Sequence, residues 1–157
     1  MAELKDIMAT EFVPSRDAYH DAVDSGGPYT LTTSYEKYVN DAVVRDESTL
    51  VMWDKIANHV DCSTLPIGSK LDIKIDSVVA ANNNGAVILV KFECPNDGAP
   101  FTLEEIPVEV ASNVEQSERW ILVGYVGAEV QQYGVDIYSK VETGTSDVSS
   151  RKLLVRA

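Results

Sequence analysis

Residues 119–127, RWILVGYVG, limit the possible fold of this chain more than any other stretch, because as an extended strand they are apolar on both faces. Side chains alternate sides along a strand, so Trp120, Leu122 and Val126 would share one face and Ile121, Val123 and Tyr125 the other. A strand in a two-layer sheet protein needs one apolar face, since the other meets water. The second face must therefore be covered by a loop, by the N-terminal segment or by another subunit. Tyr133 and Tyr138, in the strand-like run that follows, add aromatic surface with polar tips, a residue type enriched in subunit interfaces.

The rest of the chain keeps the period of two. Residues 29–39 place Tyr29, Leu31, Thr33 and Tyr35 on one face, residues 49–56 form a second apolar run, and the acid-bearing segment 40–48 between them reads as an exposed loop. Residues 71–79 send Leu71, Ile73 and Ile75 one way and Asp72, Lys74 and Asp76 the other. The NNNG turn at 82–85 and the return over 86–93 predict a β-hairpin. A proline-flanked turn at 95–100 leads to a strand over 102–110, which Pro107 directs to a sheet edge. With 133–141 and 149–157 this makes about eight strands at roughly ten-residue spacing, the cadence of an antiparallel sandwich or barrel. The last run needs a neighbouring strand to satisfy its backbone groups.

The first 28 residues differ. Phe12 and Val13 precede Pro14 and read as extended; Ser15 can cap a short helix over 16–23 whose apolar residues are Ala18, Tyr19, Ala22 and Val23, closed by SGGP at 25–28. The expectation is an N-terminal arm over 1–28 that docks on its own domain or a partner, followed by one β domain over 29–157. A chain of 157 residues can build such a core without disulfides or metals.

Charge and chemistry exclude more than they assign. With 25 acidic against 13 basic residues, the net charge of −12 opposes binding to nucleic acid or anionic lipid. No apolar run approaches the ~20 residues of a membrane helix, and the first residues lack a signal-peptide pattern, so synthesis in the cytoplasm is expected. Cys62 and Cys94 are expected as reduced thiols. The two histidines, His20 and His59, stand without a nucleophile elbow, so no enzyme is expected. His59, Asp61 and Cys62 lie within four residues, but a zinc site wants a second ligand pair. Asp17, Asp21 and Asp24, and the turn at 96–98, do not match a calcium loop. No metal or other cofactor is expected. A glycan-binding reading would need exposed aromatics, with Trp53, Trp120, Tyr35 and Tyr38 as candidates.

The order of these elements (the aromatic apolar strand, a turn near Gly127, the GVDIYS strand and the closing KLLVR strand) resembles the C-terminal part of tumour-necrosis-factor-like jelly rolls. It is similar to the trimeric jelly-roll domains of bacteriophage capsid decoration proteins, head fibres and tail fibres. The resemblance spans roughly residues 29–157 in strand order, and its specific part is 119–157. It implies an antiparallel jelly-roll β-sandwich that forms a homotrimer, with Trp120, Val123, Tyr125, Tyr133 and Tyr138 as trimer-interface residues. It further implies a structural role in the virion, clamping the major capsid protein at the capsid surface. Phe12, Val13, Tyr19 and Val23 would then form the apolar part of a capsid-binding arm. The alternative is a receptor- or glycan-binding module of a tail fibre.

Overall fold

The computed structural model describes residues 20–24, 29–39, 45–46, 53–54 and 56–157. In chain order the strands begin with β1 (His20–Asp24), β2 (Tyr29–Leu31), β3 (Glu36–Lys37), β4 (Arg45–Asp46), β5 (Trp53–Asp54) and β6 (His59–Val60). Four longer strands follow: β7 (Lys70–Ala81), β8 (Ala86–Cys94), β9 (Phe101–Val110) and β10 (Gln116–Tyr125). Helix α1 (Ala128–Tyr133) then precedes β11 (Asp136–Val141) and β12 (Ser146–Arg156).

The strands divide into two antiparallel sheets. The first has the order β10-β7-β12-β1-β4, with β2 also paired to β12; the second has the order β3-β11-β8-β9. From β7 onward the chain goes to the first sheet, then to the second for β8 and β9, then back for β10, across for β11 and back for β12. This repeated crossing between two facing sheets is the double Greek key of a jelly-roll sandwich. The small β5–β6 pair joins the start of β11 through reciprocal Val60–Val135 backbone bonds of 2.9 and 3.0 Å.

Strict alternation builds the core. Along β7, Leu71, Ile73, Ile75, Ser77, Val79 and Ala81 are buried, while the residues between them are only half-buried. They face Ile88, Val90 and Phe92 of β8 and Ile137 and Val141 of β11 across the sandwich. Trp53 and Tyr38 are both buried and pack edge to face, 5.9 Å apart at 80°.

Four sequence expectations are corrected. The segments around 71–79 and 86–93 are strands, but they do not pair as a hairpin: β7 and β8 lie in opposite sheets. The Asn82 N–H donates to the Thr145 carbonyl at 3.0 Å, so the turn docks on the β11–β12 connection instead of closing its own ladder. The run 29–39 is broken at Thr33 and Ser34, because β2 pairs with β12 in one sheet and β3 with β11 in the other. In place of the end of a helix over 16–23, His20–Asp24 form β1, where Val23 stands opposite Lys152; β12 recruits this segment as a neighbour, and pairing prevails over a weak helical spacing. Residues 1–19, including Phe12, Val13 and Tyr19, lie outside the described residues, as does most of 40–48, although Arg45–Asp46 pair with β1.

Tyr133 ends α1 and does not belong to the next strand. The run AEVQQY favours helix, and Gly134 closes it at φ 72, its N–H donating to the Val130 carbonyl at 2.8 Å. A Cβ at Gly134 would run into the Val60 carbonyl. Gly134→Ala is therefore expected to destabilise the fold by about 2 kcal/mol, combining positive φ with backbone overlap, as read from denaturant midpoints.

Candidate interaction surface

Strand β10 ends the first sheet and pairs with β7 alone among the described strands. Its inner face carries Trp120 and Leu122, both buried, and Val126 just beyond is buried as well. Its outer face carries Ile121, Val123 and Tyr125, which are 42%, 63% and 75% exposed. The doubly apolar character read from residues 119–127 is thus real, and nothing in the described part of the same chain covers the second face.

Register extends this face across the sheet. Arg119, Ile121, Val123 and Tyr125 stand opposite Asp76, Lys74, Asp72 and Lys70 of β7, and Lys152, Leu154 and Arg156 of β12 continue three of the rows. Five basic residues (Lys70, Lys74, Arg119, Lys152, Arg156) meet two acids (Asp72, Asp76) there, so this face is cationic in a chain of net charge −12. Ion pairs knit it together: Arg119 Nε to Asp76 Oδ1 at 2.6 Å, Lys74 to Asp76 at 3.3 Å and Lys70 to Asp72 at 3.2 Å. Burial opposes ionisation of Asp76, but the Arg119 hydrogen bond and Lys74 more than offset it and hold its carboxyl below the usual range.

The two edges on this side of the sandwich are managed differently. On β9, Glu104, Glu105, Pro107 and Glu109 are all exposed, charges and a proline that discourage further strand pairing. The half of β10 from Trp120 to Tyr125 has neither. Between them lies a groove of about 190 Å³, walled by Leu71, Leu103, Leu122 and Val130, with Glu104 and Tyr125 at its sides.

The opposite outer face, on the second sheet, is covered from within. The Tyr35 ring sits between Lys91 Nζ at 4.6 Å and Lys140 Nζ at 4.5 Å, and Lys91 also lies 5.1 Å from the Tyr138 ring. Burial first, and then Glu105 with neighbouring carboxylates, pushes the Tyr35 phenol up to about 12. Lys91 pairs with Glu93 at 2.7 Å and Lys37 with Asp136 at 3.0 Å.

The five residues expected at a trimer interface therefore fall in four places. Val123 and Tyr125 share the exposed face of β10; Trp120 lies in the core; Tyr133 packs half-buried at the end of α1; Tyr138 lies on the far sheet. The cations that frame the exposed face had no legible signal, because cross-strand register is set by the tertiary fold. The aromatics considered for glycan stacking are also placed: Trp53, Trp120 and Tyr38 are buried and Tyr35 is held between lysines. Among the described residues no three His, Cys, Asp or Glu side chains converge as metal ligands. His59 instead lies 3.8 Å from Asp136, and Cys62 is in the core.

The architecture defines a class, the jelly-roll β-sandwich. No known protein family matches the chain, and no curated protein matches it. Among solved structures it is similar to the PRD1 vertex protein P5, at 12% identity over 89% of this chain and 96% of that one, with a TM-score of 0.53. Looser similarities are to the Eiger TNF of S. frugiperda (10% identity, 89% and 94% covered, TM-score 0.43) and to infectious bursal disease virus VP2 (9%, 90% and 30%, TM-score 0.38). At these identities the likeness to the vertex protein is one of fold.

Two outcomes are expected from this geometry. The lowered pKa of Asp76 contributes stability above its unfolded-state pKa, and that contribution fades as pH falls through the lower folded value. The stability gap between the wild type and Asp76→Asn should therefore be widest at neutral pH and narrow below about pH 4, measured by urea unfolding across a pH series. Burial, with Asp61 and Cys94, pushes the Cys62 thiol up to about 12, and burial also raises Cys94. Ellman's reagent should react slowly with both thiols in the native protein and rapidly after unfolding.

Proposed function

We propose that this protein is a structural virion component, a capsid decoration protein of a bacteriophage that assembles as a homotrimer on the capsid surface. The observation that carries this reading is the exposed apolar face of β10, framed by cations, on a jelly-roll sandwich. The fold similarity to a protein described as a vertex protein points the same way. Trp53 and Trp120, the two tryptophans considered for glycan stacking, are buried, which disfavours the glycan-binding alternative.

Self-association follows from the chemistry of the face. Burying Ile121 and Val123 would contribute on the order of 1–2 kcal/mol each. Three strands about 4.8 Å apart and ten residues long give a face of only roughly 450 Å², less than the ~800 Å² that each partner commonly buries. A stable contact must therefore also use the groove and an edge. The acidic edge of β9, with Glu104, Glu105 and Glu109, has the charge that the cationic face attracts. A head-to-tail contact, the face of one protomer on the β9 edge of the next, closes into a ring where the rotation is a third of a turn. The segment before β1, with Phe12, Val13 and Tyr19, is assigned the contact with the major capsid protein; Val23 belongs to the sheet.

Multi-angle light scattering should give a three-chain mass for the wild type and a one-chain mass for Val123→Glu/Tyr125→Ala, with an unchanged β-sheet circular dichroism spectrum. A monomeric wild type at micromolar concentration would sink the reading. Deleting residues 1–19, which leaves β1 to pair with β12, should preserve the trimer and abolish capsid binding in a co-sedimentation assay. Retained binding would remove the role assigned to that segment.

A further inference from the structure

Between the two sheets lies a space of about 20 Å³ whose lining is aliphatic apart from Tyr38, Ser77, Trp120 and Ser139. Trp120 is 2% exposed, and its Nε1 has no hydrogen-bond partner among the described residues. An indole N–H can only donate, so it needs an acceptor, and a buried donor left unpaired is costly. Neither sheet supplies one directly: Trp120 stands on β10 beside Ile75 and, through β7, Leu153. Ser77 is itself buried, a hydroxyl in a row that is otherwise wholly aliphatic along β7. Ser139, half-buried on β11, brings a second hydroxyl from the opposite sheet.

The geometry points to a binding site for one water molecule between the sheets, accepting a hydrogen bond from Trp120 Nε1 and donating to the hydroxyl oxygens of Ser77 and Ser139. Two conditions for a buried water are met. The space exceeds the ~10–15 Å³ that one water centre requires, and three of the residues lining it, Ser77, Trp120 and Ser139, carry a polar group where two to four partners are usual. A dry apolar cavity of the kind that takes up xenon has no such groups. The water ties the strand carrying the exposed face to both β7 and β11, so it fixes the indole from which the rest of β10 is held. Serine at 77 and 139, where valine would fill the space, is accounted for by the same site.

A high-resolution crystal structure of the full chain, determined with and without xenon pressure, tests this independently of oligomeric state. The expected result is one ordered water within about 2.7–3.2 Å of Trp120 Nε1 and no xenon in the cavity. In Ser77→Ala/Ser139→Ala the water should be lost and xenon should enter. Xenon in the unmodified protein, or an indole bonded directly to a protein group with no water between, would overturn the assignment. If the double variant does not fold, the unmodified protein decides alone. In solution, a water cross-peak to the Trp120 Hε1 with the sign of a long-lived contact is expected, and its absence from a protected indole proton counts against the site.

Discussion

Strand β7 is the member on which the first sheet depends. β10 runs along one side of it for ten register positions and β12 along the other, so both are held through its backbone. Its inward row from Leu71 to Ala81 is also the floor of the core, and every second residue of β7 is committed to facing β8 and β11. The outward row is left to Lys70, Asp72, Lys74 and Asp76, which β10 and β12 meet with charges of their own. One strand thus sets both the packing inside and the electrostatics outside.

The two outer faces of the sandwich diverge from that common plan. On the second sheet, Tyr35 from the β2–β3 connection folds between Lys91 and Lys140, and Leu89 beside Lys140 and Pro107 is buried although it faces outward. That face is finished within one chain. On the first sheet the apolar residues of β10 stay exposed beside an open groove, next to an edge that Glu104, Glu105, Pro107 and Glu109 guard. A protein that guards one edge with charge and leaves its neighbour apolar distinguishes the two, and the unguarded one is where association would bury surface.

Much of the fold was legible because strands announce themselves by period. The runs at 71–79, 86–93, 102–110 and 119–127 are all strands, Pro107 does lie on an edge strand, and β12 does lie inside a sheet, between β7 and β1. Pairing was not legible. The NNNG turn has the chemistry of a hairpin, yet Asn82 bonds to Thr145 across the molecule and the flanking strands part company. A turn signal reports that the chain reverses; whether the returning strand lies beside or opposite its predecessor depends on contacts distant in sequence. Helix α1, six residues long, is too short to show a helical period, and its last residue, Tyr133, reads in the sequence as the start of the following strand.

What the sequence determined by itself was the alternation: two apolar faces on residues 119–127 and at least one on each of the other long strands. What only the tertiary structure decided was which of those two faces is spent on the core. Trp120 and Leu122 point inward because β7 pairs Trp120 with Ile75 and Leu122 with Ile73, both of which must face the second sheet, and this leaves Ile121, Val123 and Tyr125 to solvent. Periodicity defines two faces of a strand with equal force, and only the register with its neighbours chooses between them.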